Sequence, residues 1–151
     1  MTKFAISSFV VIFDKKGRVL LSHRRDLDVW NLPGGSIKIG ELPTDAAIRE
    51  TKEETGLKIR IEDLVGVYGQ PDKEKLSFVF LGTIEGGKLV KTNEADLHRF
   101  FKLKKVPKNT IPKHIRRVRD AAEDKDQPIF HQKKYLSTRK FLKKLKKKSG
   151  K

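Results

Sequence analysis

The sequence predicts a mixed α/β domain in which helices cover a β-sheet. Two strand-like segments, a helix, several further strands and a second helix follow one another along the chain. The length of 151 residues fits one compact domain. Hydrophobic residues make up 36% of the chain and charged residues another 36%, which allows a packed core under a heavily ionised surface.

The first half of the chain supplies three elements. Residues 4–13 and 18–22 are rich in β-branched and aromatic side chains and flank a polar turn that ends in glycine, which predicts a β-hairpin. Residues 30–35 contain a proline and two glycines, which predicts a loop that other backbone can approach closely. Residues 43–55 begin with proline, contain no breaker and precede a glycine, so they predict a helix.

The second half predicts further strands and a second helix. Residues 57–69 and 76–84 show strand-like alternation, and we expect a turn at 85–87. Another short strand is predicted over 97–103, and a helix over 112–123.

Positive charge is concentrated near the C-terminus. Residues 1–100 hold 16 Lys and Arg against 15 Asp and Glu, whereas residues 101–151 hold 19 against four. We therefore expect a nearly neutral globular body, residues 1–125, followed by a basic extension, residues 126–151. Tyr135, Phe141, Leu142 and Leu145 fall on one side of a helical wheel, so the extension is expected to be an amphipathic helix.

Composition excludes several classes of protein. The chain has no cysteine, which excludes disulfides, thiolate metal sites and a cysteine nucleophile and fits a reducing cytoplasmic setting. No apolar run has the length that a membrane helix needs. The first residues are typical of a strand and not of a signal peptide.

Carboxylates cluster on the predicted helix 43–55. Glu50, Glu53 and Glu54 are three and four positions apart, which places them on one helical face, where they repel one another. A hard divalent cation would offset this repulsion, and oxygen ligands favour Mg2+, Ca2+ or Mn2+. Mg2+ commonly binds together with phosphates of a substrate, so the cluster points to phosphate chemistry. The simpler alternative is a solvated acidic face.

One basic residue accompanies the acids. Arg49 precedes Glu50 directly, and a guanidinium can hold a carboxylate through two parallel hydrogen bonds. We expect Arg49 to orient one of the helix glutamates, with Glu41 as a further partner.

The spacing of these residues resembles the motif of the Nudix hydrolases, G-x5-E-x7-R-E-U-x-E-E-x-G-U, in which U is a bulky aliphatic residue. The chain carries Gly35, Glu41, Arg49, Glu50, Thr51, Glu53, Glu54, Gly56 and Leu57 at the motif positions. Only Thr51 departs from the pattern, at a position that usually packs beneath the helix. The resemblance extends over about residues 4–122 and implies an α/β/α sandwich with a mixed β-sheet.

The resemblance also implies an activity and its residues. It implies Mg2+-dependent hydrolysis of a nucleoside diphosphate linked to another group, with Mn2+ as a substitute metal. Glu50, Glu53 and Glu54 would be metal ligands, and the backbone carbonyl of Gly35 or its neighbour Gly34 a further one. The general base would be Glu53 or Glu54, or else Glu94, which is a candidate base or extra metal ligand but equally a solvated turn acid.

The sequence leaves two functions open. The first is hydrolysis of a small nucleotide, such as a nucleoside triphosphate or a nucleotide sugar. The second is processing of the 5′ end of RNA, or RNA binding alone, with the basic extension gripping the backbone. The simpler alternative for the extension is a solubilising segment packed on the domain. The run His23-Arg24-Arg25 is a candidate phosphate contact, whereas His98 and His114 are expected at the polar surface. The aromatic residues that could form a shelf for a base are at least as typical of a core; they are Trp30, Tyr68, Phe78, Phe80 and Phe130.

Overall fold

A computed structural model describes residues 3–123 and 125–150 of the chain. In this part, eight strands form two sheets, and three α-helices and a short 3-10 turn accompany them. The elements, in chain order, are β1 (Ala5–Ile12), β2 (Val19–Arg24), β3 (Trp30–Asn31), β4 (Gly34–Ser36), α1 (Pro43–Thr55), β5 (Leu57–Gln70), β6 (Lys75–Gly87), β7 (Ala95–Phe101), the 3-10 turn Leu103–Lys105, α2 (Pro112–Ala122), β8 (Ile129–Gln132) and α3 (Thr138–Ser149).

The larger sheet is mixed, as the sequence predicts. Its strand order is β4-β1-β6-β5-β8, with β1 parallel to β6 and β8 parallel to β5, while the other pairs are antiparallel. The smaller sheet has the order β3-β2-β7 and is antiparallel. The predicted α/β class is therefore confirmed.

Strand β1 is buried on both faces, which explains its unbroken apolar run. Val10 and Ile12 pack into one core cluster with Ala47 of α1, whereas Val11 packs into another with Val118 of α2. Because successive strand residues point to opposite faces, the run Val10-Val11-Ile12 serves both cores. The two helices thus cover separate cores on either side of the strand.

The predicted hairpin of the first two strands is wrong beyond its turn. Phe13 and Val19 form one bridge, but β1 and β2 then enter different sheets. The reason is that β1 is an inner strand, with β4 on one edge and β6 on the other, so no edge remains for β2.

The helix predictions agree closely with the structure. Helix α1 has the predicted bounds, and Gly56 ends it in the left-handed conformation, with φ of 86°. Thr51, the residue that departs from the motif, is fully buried beneath the helix, and its hydroxyl has no hydrogen-bond partner among the described residues. Helix α2 ends one residue before the predicted end.

Two local expectations need correction. Residues 30–35 are not wholly loop, because β3 and the start of β4 pair with β2 and β1 there. The turn expected at 85–87 lies inside β6, since Gly86 and Gly87 stay paired with β5. A side chain at Gly87 would collide with the backbone oxygen of Gly56, so this glycine permits close strand approach.

His114 is not at the surface. It is 2% exposed on the face of α2 that packs against the sheets, and its Nδ1 accepts a hydrogen bond from the Leu32 N–H at 2.9 Å. The expectation failed because a histidine on the inner face of a helix can satisfy a backbone donor there. His98 is half-buried, with Nδ1 at 2.7 Å from the Ser22 hydroxyl.

The basic extension contains two elements. Strand β8 adds an edge to the larger sheet, and α3 is helical from Thr138 to Ser149, with the Ser137 hydroxyl accepting from the Lys140 N–H at its start. Among the described residues, none of the helices is long and apolar enough to cross a membrane.

Candidate functional site

Helix α1 presents the acidic face that the sequence predicts. Carboxylate oxygens of Glu50 and Glu53 lie within 4.8 Å of each other and of an oxygen of Glu94. Glu94 is more than 40 positions away in sequence and reaches the helix from the segment that precedes β7. The fold therefore gathers acids from two separate segments, which a solvated helix face alone does not require.

Arg49 joins the acids to one another. Its Nε and Nη2 donate to the two carboxylate oxygens of Glu41 at 2.8 and 2.9 Å. Its Nη1 donates to Glu50 at 2.9 Å and to Glu53 at 3.1 Å, and Nη2 also donates to the backbone oxygen of Ser36 at 3.0 Å. The expected pairing of Arg49 with a helix glutamate and with Glu41 is what these contacts show.

The contacts between Arg49 and Glu41 shift the pKa of both side chains. Hydrogen bonds from Arg49 and from the Lys38 N–H lower the pKa of Glu41 to about 2. Hydrogen bonding to Glu41, together with the charge of Glu50, raises the pKa of Arg49 above its ordinary value. The pair is therefore charged throughout the working pH range and forms a fixed link from the loop before α1 to the helix.

Glu54 differs from its neighbours in being buried. It is 5% exposed, and its Oε2 accepts a hydrogen bond from the Gly34 N–H at 3.2 Å. Burial, reinforced by the charges of Glu94 and Glu50, raises the pKa of Glu54 to about 8. Such a carboxylate retains its charge when a cation lies beside it.

Gly35 leaves the room that Glu50 occupies. A Cβ at Gly35 would lie 2.6 Å from both the carboxylate carbon and Oε2 of Glu50. The glycine is therefore required by close approach of β4 to α1. Gly34 is similarly constrained, because its φ is 152° and a Cβ there would meet the backbone oxygen of Ser8.

Thr92 holds Glu94 in place, and the sequence did not single it out. Its hydroxyl donates to the backbone oxygen of Glu54 at 2.9 Å and accepts from the Glu94 and Ala95 N–H groups at 3.3 and 3.2 Å. Burial and the charges of Glu50 and Glu53 raise the pKa of Glu94. A Thr two residues before an acid is the signal of such a turn, but it occurs too often to identify a site.

A cleft of about 360 Å³ adjoins the acids. Arg24 and Arg25, two members of the run proposed to contact phosphate, line it together with Glu54 and Glu94. Asn31 also lines it, and its buried side-chain oxygen has no hydrogen-bond partner among the described residues. The cleft is therefore lined by both acids and arginines, and one of the arginines, Arg24, is paired with Asp26.

The donor set fits a hard divalent cation. It consists of carboxylate oxygens, and burial together with their mutual repulsion raises the pKa of Glu54 and of Glu94. Oxygen ligands of this kind suit Mg2+ or Mn2+, and the arginines that line the adjoining cleft suit phosphate oxygens. Chemically, the arrangement can hold a cation and a phosphate next to each other.

Comparison with known sequences points to one family. The model of the family described as NUDIX domain matches residues 3–121. A Bacillus subtilis (strain 168) protein whose name proposes 8-oxo-dGTP diphosphatase activity is 32% identical over 115 residues, 75% of this chain and 76% of its own. A Methanocaldococcus jannaschii protein named ADP-ribose pyrophosphatase is 36% identical over 104 residues, 64% of this chain and 62% of its own, which is less than two thirds of that protein.

A solved structure has the same fold. An ADP-ribose pyrophosphatase from Streptococcus suis superimposes with a TM-score of 0.70 at 21% identity, over 86% of this chain and 99% of its own. Identity at this level shows likeness of fold, and the expectation of a mixed α/β sandwich agrees with it.

Proposed function

This chain belongs to the Nudix hydrolase family, and we propose that it hydrolyses a nucleoside diphosphate linked to another group, with Mg2+ as its metal. The chain is a pyrophosphohydrolase of that family. We propose its substrate class and the roles of its residues. The observation that carries the proposal is the meeting of Glu50, Glu53 and Glu94 within 4.8 Å, beside a cleft with two arginines. Residues 1–125 form the hydrolase domain in this proposal, and residues 126–151 the basic extension.

Four groups hold the metal in this proposal. They are the carboxylates of Glu50, Glu53 and Glu54 and the backbone carbonyl of Gly35, with Glu94 as an additional carboxylate. When bound, Mg2+ would neutralise charge on the phosphate oxygens and lower the barrier to attack by water. Mn2+ prefers the same oxygen ligands and is expected to substitute.

Arg49 and Glu41 position these ligands. Because Arg49 donates to both Glu50 and Glu53, it fixes the two carboxylates relative to each other. Glu41 holds the guanidinium through two hydrogen bonds and so keeps Arg49 from turning toward a substrate phosphate. Arg24 and Arg25 line the adjoining cleft, where they would bind phosphate oxygens.

A carboxylate must accept the proton of the attacking water, and Glu53, Glu54 and Glu94 are the candidates. Loss of a general base and loss of a metal ligand change different kinetic constants. Replacement of the base by Gln lowers kcat while the metal affinity stays the same, whereas replacement of a ligand raises the metal concentration that half-saturates the enzyme.

The proposal is tested by a panel of substrates assayed with Mg2+, with Mn2+ and with chelator. The panel contains nucleoside triphosphates, sugar nucleotides, dinucleoside polyphosphates and triphosphorylated RNA. We expect metal-dependent cleavage of a diphosphate bond in one small-nucleotide class. Reaction in 18O-labelled water then shows which phosphorus water attacks. Absence of metal-dependent turnover on every member would overturn the proposal.

A second candidate function is the processing or binding of RNA 5′ ends, with the extension gripping the backbone. Helix α3 favours it, because seven basic residues from Arg139 to Lys148 lie at exposed positions of this helix. Lys143, Lys144 and Lys147 replaced together by Gln should lower RNA affinity and flatten its salt dependence. The same number of exposed lysines replaced elsewhere, including Lys15 and Lys16, provides the control. We propose a cytoplasmic location, where both small nucleotides and RNA are present.

A further inference from the structure

A second cavity, of about 200 Å³, lies on the α2 side of the larger sheet, and we refer to it as the basic pocket. Strands β1, β5 and β6, helix α2 and the extension all contribute to its wall. The polar groups that define the basic pocket are Ser7, Lys75, Ser77, Lys113, Arg117 and Tyr135. None of the described residues that line it is Asp or Glu, so three cations surround a space without an acid.

Arg117 is the unusual member of the basic pocket. It is 4% exposed, and its Nε and Nη1 have no hydrogen-bond partner in the part of the chain that the structure describes. The guanidinium carbon lies 5.2 Å from the ring centres of both Phe9 and Tyr68, which stabilise its charge but accept no ordinary hydrogen bond. A buried donor left without an acceptor is costly, so this side chain calls for an anion from outside the chain.

Acids of the same helix do not supply that anion. The carboxylate of Asp120 accepts hydrogen bonds from the Tyr68 hydroxyl at 2.8 Å and from Arg116 Nε at 3.0 Å. It makes no hydrogen bond to Arg117. The arginine that is well paired on α2 is therefore Arg116, and the buried one is left for a ligand.

Lys113 adds a second cation one turn earlier on α2. Burial, together with the charges of Arg117 and Lys75, lowers the pKa of Lys113 to about 8. Burial likewise lowers the pKa of Arg117, to about 10. A bound oxyanion would offset the cost of burying these two charges, since each cation would gain a charged hydrogen-bond acceptor.

Strand β4 joins the basic pocket to the proposed metal site. Ser36 lines the pocket, while its backbone oxygen accepts a hydrogen bond from Arg49. The preceding residue, Gly35, lies against the carboxylate of Glu50. A substrate whose diphosphate occupies the metal site can therefore extend past β4 into the basic pocket.

We propose that the basic pocket is an oxyanion subsite that binds a phosphate group on the part of the substrate remote from the hydrolysed diphosphate. This inference rests on the proposed function, because the diphosphate sets where the remote group lies. It narrows the substrate class to diphosphates that carry at least one additional phosphate. Lys113 and Arg117 bind its oxygens, and the Ser7 and Ser77 hydroxyls, 2.8 Å apart, lie on the sheet side.

The extension contributes to this subsite. Tyr135 lines the basic pocket, and the Lys133 ammonium lies 5.4 Å from its ring centre. An adjoining groove of about 360 Å³ is bordered by Lys73, Lys133 and Lys134. The residues before α3 therefore form the wall of a small-molecule site.

The test is binding to the full chain in chelator, where hydrolysis cannot occur. Two matched ligand pairs differ by one phosphate each: NADH and NADPH, and dephospho-coenzyme A and coenzyme A. We expect the more phosphorylated member to bind at least tenfold more tightly by calorimetry, since two cations gain a charged acceptor. Equal affinity within both pairs, or no detectable binding of any of the four, would overturn the proposal.

Two variants assign the effect to the basic pocket. Lys113→Gln removes a half-buried cation that lines it and should reduce the ratio within each pair severalfold. Arg119→Gln removes one charge from an exposed position of the same helix and should leave the ratio unchanged. Equal ratios in Lys113→Gln and the unaltered protein would contradict the proposal, as would an equal loss in both variants.

Failure of the proposed function is distinguishable from failure of this inference. If the phosphate-dependent ratio is present and sensitive to Lys113, the subsite stands even where no Mg2+-dependent hydrolysis is found. If hydrolysis is found but the two members of each ligand pair bind equally, the proposed function is supported and the proposed subsite is wrong.

Discussion

The two sides of β4 differ in both charge and construction. On one side, acids of α1 and Glu94 converge and are linked by Arg49, which donates to three carboxylates. On the other side, Lys113 and Arg117 line a space in which no described carboxylate faces them. Most hydrogen bonds on the acidic side are made within the chain. On the basic side, Arg117 Nε and Nη1 have no acceptor among the described residues.

Because of this difference, the two regions suit ligands of opposite charge. In the proposed function the acidic cluster binds a cation, and Arg49 positions two of its carboxylates in advance. In the proposed subsite the basic pocket binds an anion, and Arg117 is stacked on Phe9 and Tyr68 but not neutralised by them. A substrate bearing a diphosphate at one end and a further phosphate at the other would satisfy both regions at once.

The largest expected effect comes from the acidic side. Glu53→Gln removes a charge from the proposed metal ligands without changing the shape of the side chain, and Glu54→Gln does the same. Either should lower kcat/KM by about a thousandfold, because stabilisation of charge on the phosphate is the main contribution of such sites. Steady-state kinetics with saturating Mg2+ measures this loss.

Two controls show whether the loss of activity comes from the site itself and not from misfolding. Circular dichroism and thermal unfolding should show that the variants are folded, and Glu85→Gln, which removes an exposed acid of β6, should keep full activity. Full activity in a folded Glu53→Gln variant would remove this residue from the site.

A smaller loss is expected from Gly35→Ala, which alters the spacing between β4 and α1. The new Cβ would lie 2.6 Å from the carboxylate of Glu50, so that carboxylate must move. A displacement of this size should lower kcat/KM by about a hundredfold and raise the Mg2+ concentration needed for half-maximal activity. Gly86→Ala is the matched control, since a Cβ there meets nothing within 4 Å.

On the basic side, Arg117→Met should separate stability from binding. The variant removes a buried cation whose Nε and Nη1 have no hydrogen-bond partner among the described residues, and replaces it with an apolar chain of similar length. We expect the free energy of unfolding to rise by about 1 kcal/mol, after the loss of stacking on Phe9 and Tyr68 is offset. The affinity ratio between NADPH and NADH should fall toward one in the same variant.

Denaturant unfolding measures the first effect and calorimetry the second. Stability that falls by more than 2 kcal/mol would mean that Arg117 is held chiefly for structure. An unchanged affinity ratio in a folded variant would place the anion elsewhere.

The same contrast explains what the sequence could predict. Glu50, Glu53 and Arg49 share one helix, so their relative positions follow from helical periodicity, and Arg49 donates to both acids. Glu54 of the same helix accepts from the Gly34 N–H instead and is not among the three carboxylates that meet within 4.8 Å. The basic pocket draws its residues from β1, β6, α2 and the extension, segments that no local pattern connects.

The corrected elements failed for a related reason. The hairpin of β1 and β2 was a local inference, but the edges of β1 are taken by strands distant in sequence. His114 could not be assigned from its neighbours alone, because its partner, the Leu32 N–H, lies 82 positions away. In each case a tertiary partner decides the structure, and local sequence does not contain it.

The smallest expected effect tests how firmly the Arg49 link holds the acidic side. Glu41 has a pKa of about 2 in the folded protein against an ordinary value of 4.5, because Arg49 and the Lys38 N–H bind its charged form. A depressed folded-state pKa contributes stability above the unfolded-state value, and this contribution is lost as the pH falls from about 5 to about 2. In chelator, Glu41→Gln should therefore unfold at a lower temperature than the unaltered protein at pH 7, and the gap should narrow steadily as the pH falls from about 5 toward about 2. A gap that stays the same over this pH range would mean that the carboxylate charge of Glu41 contributes nothing to the link.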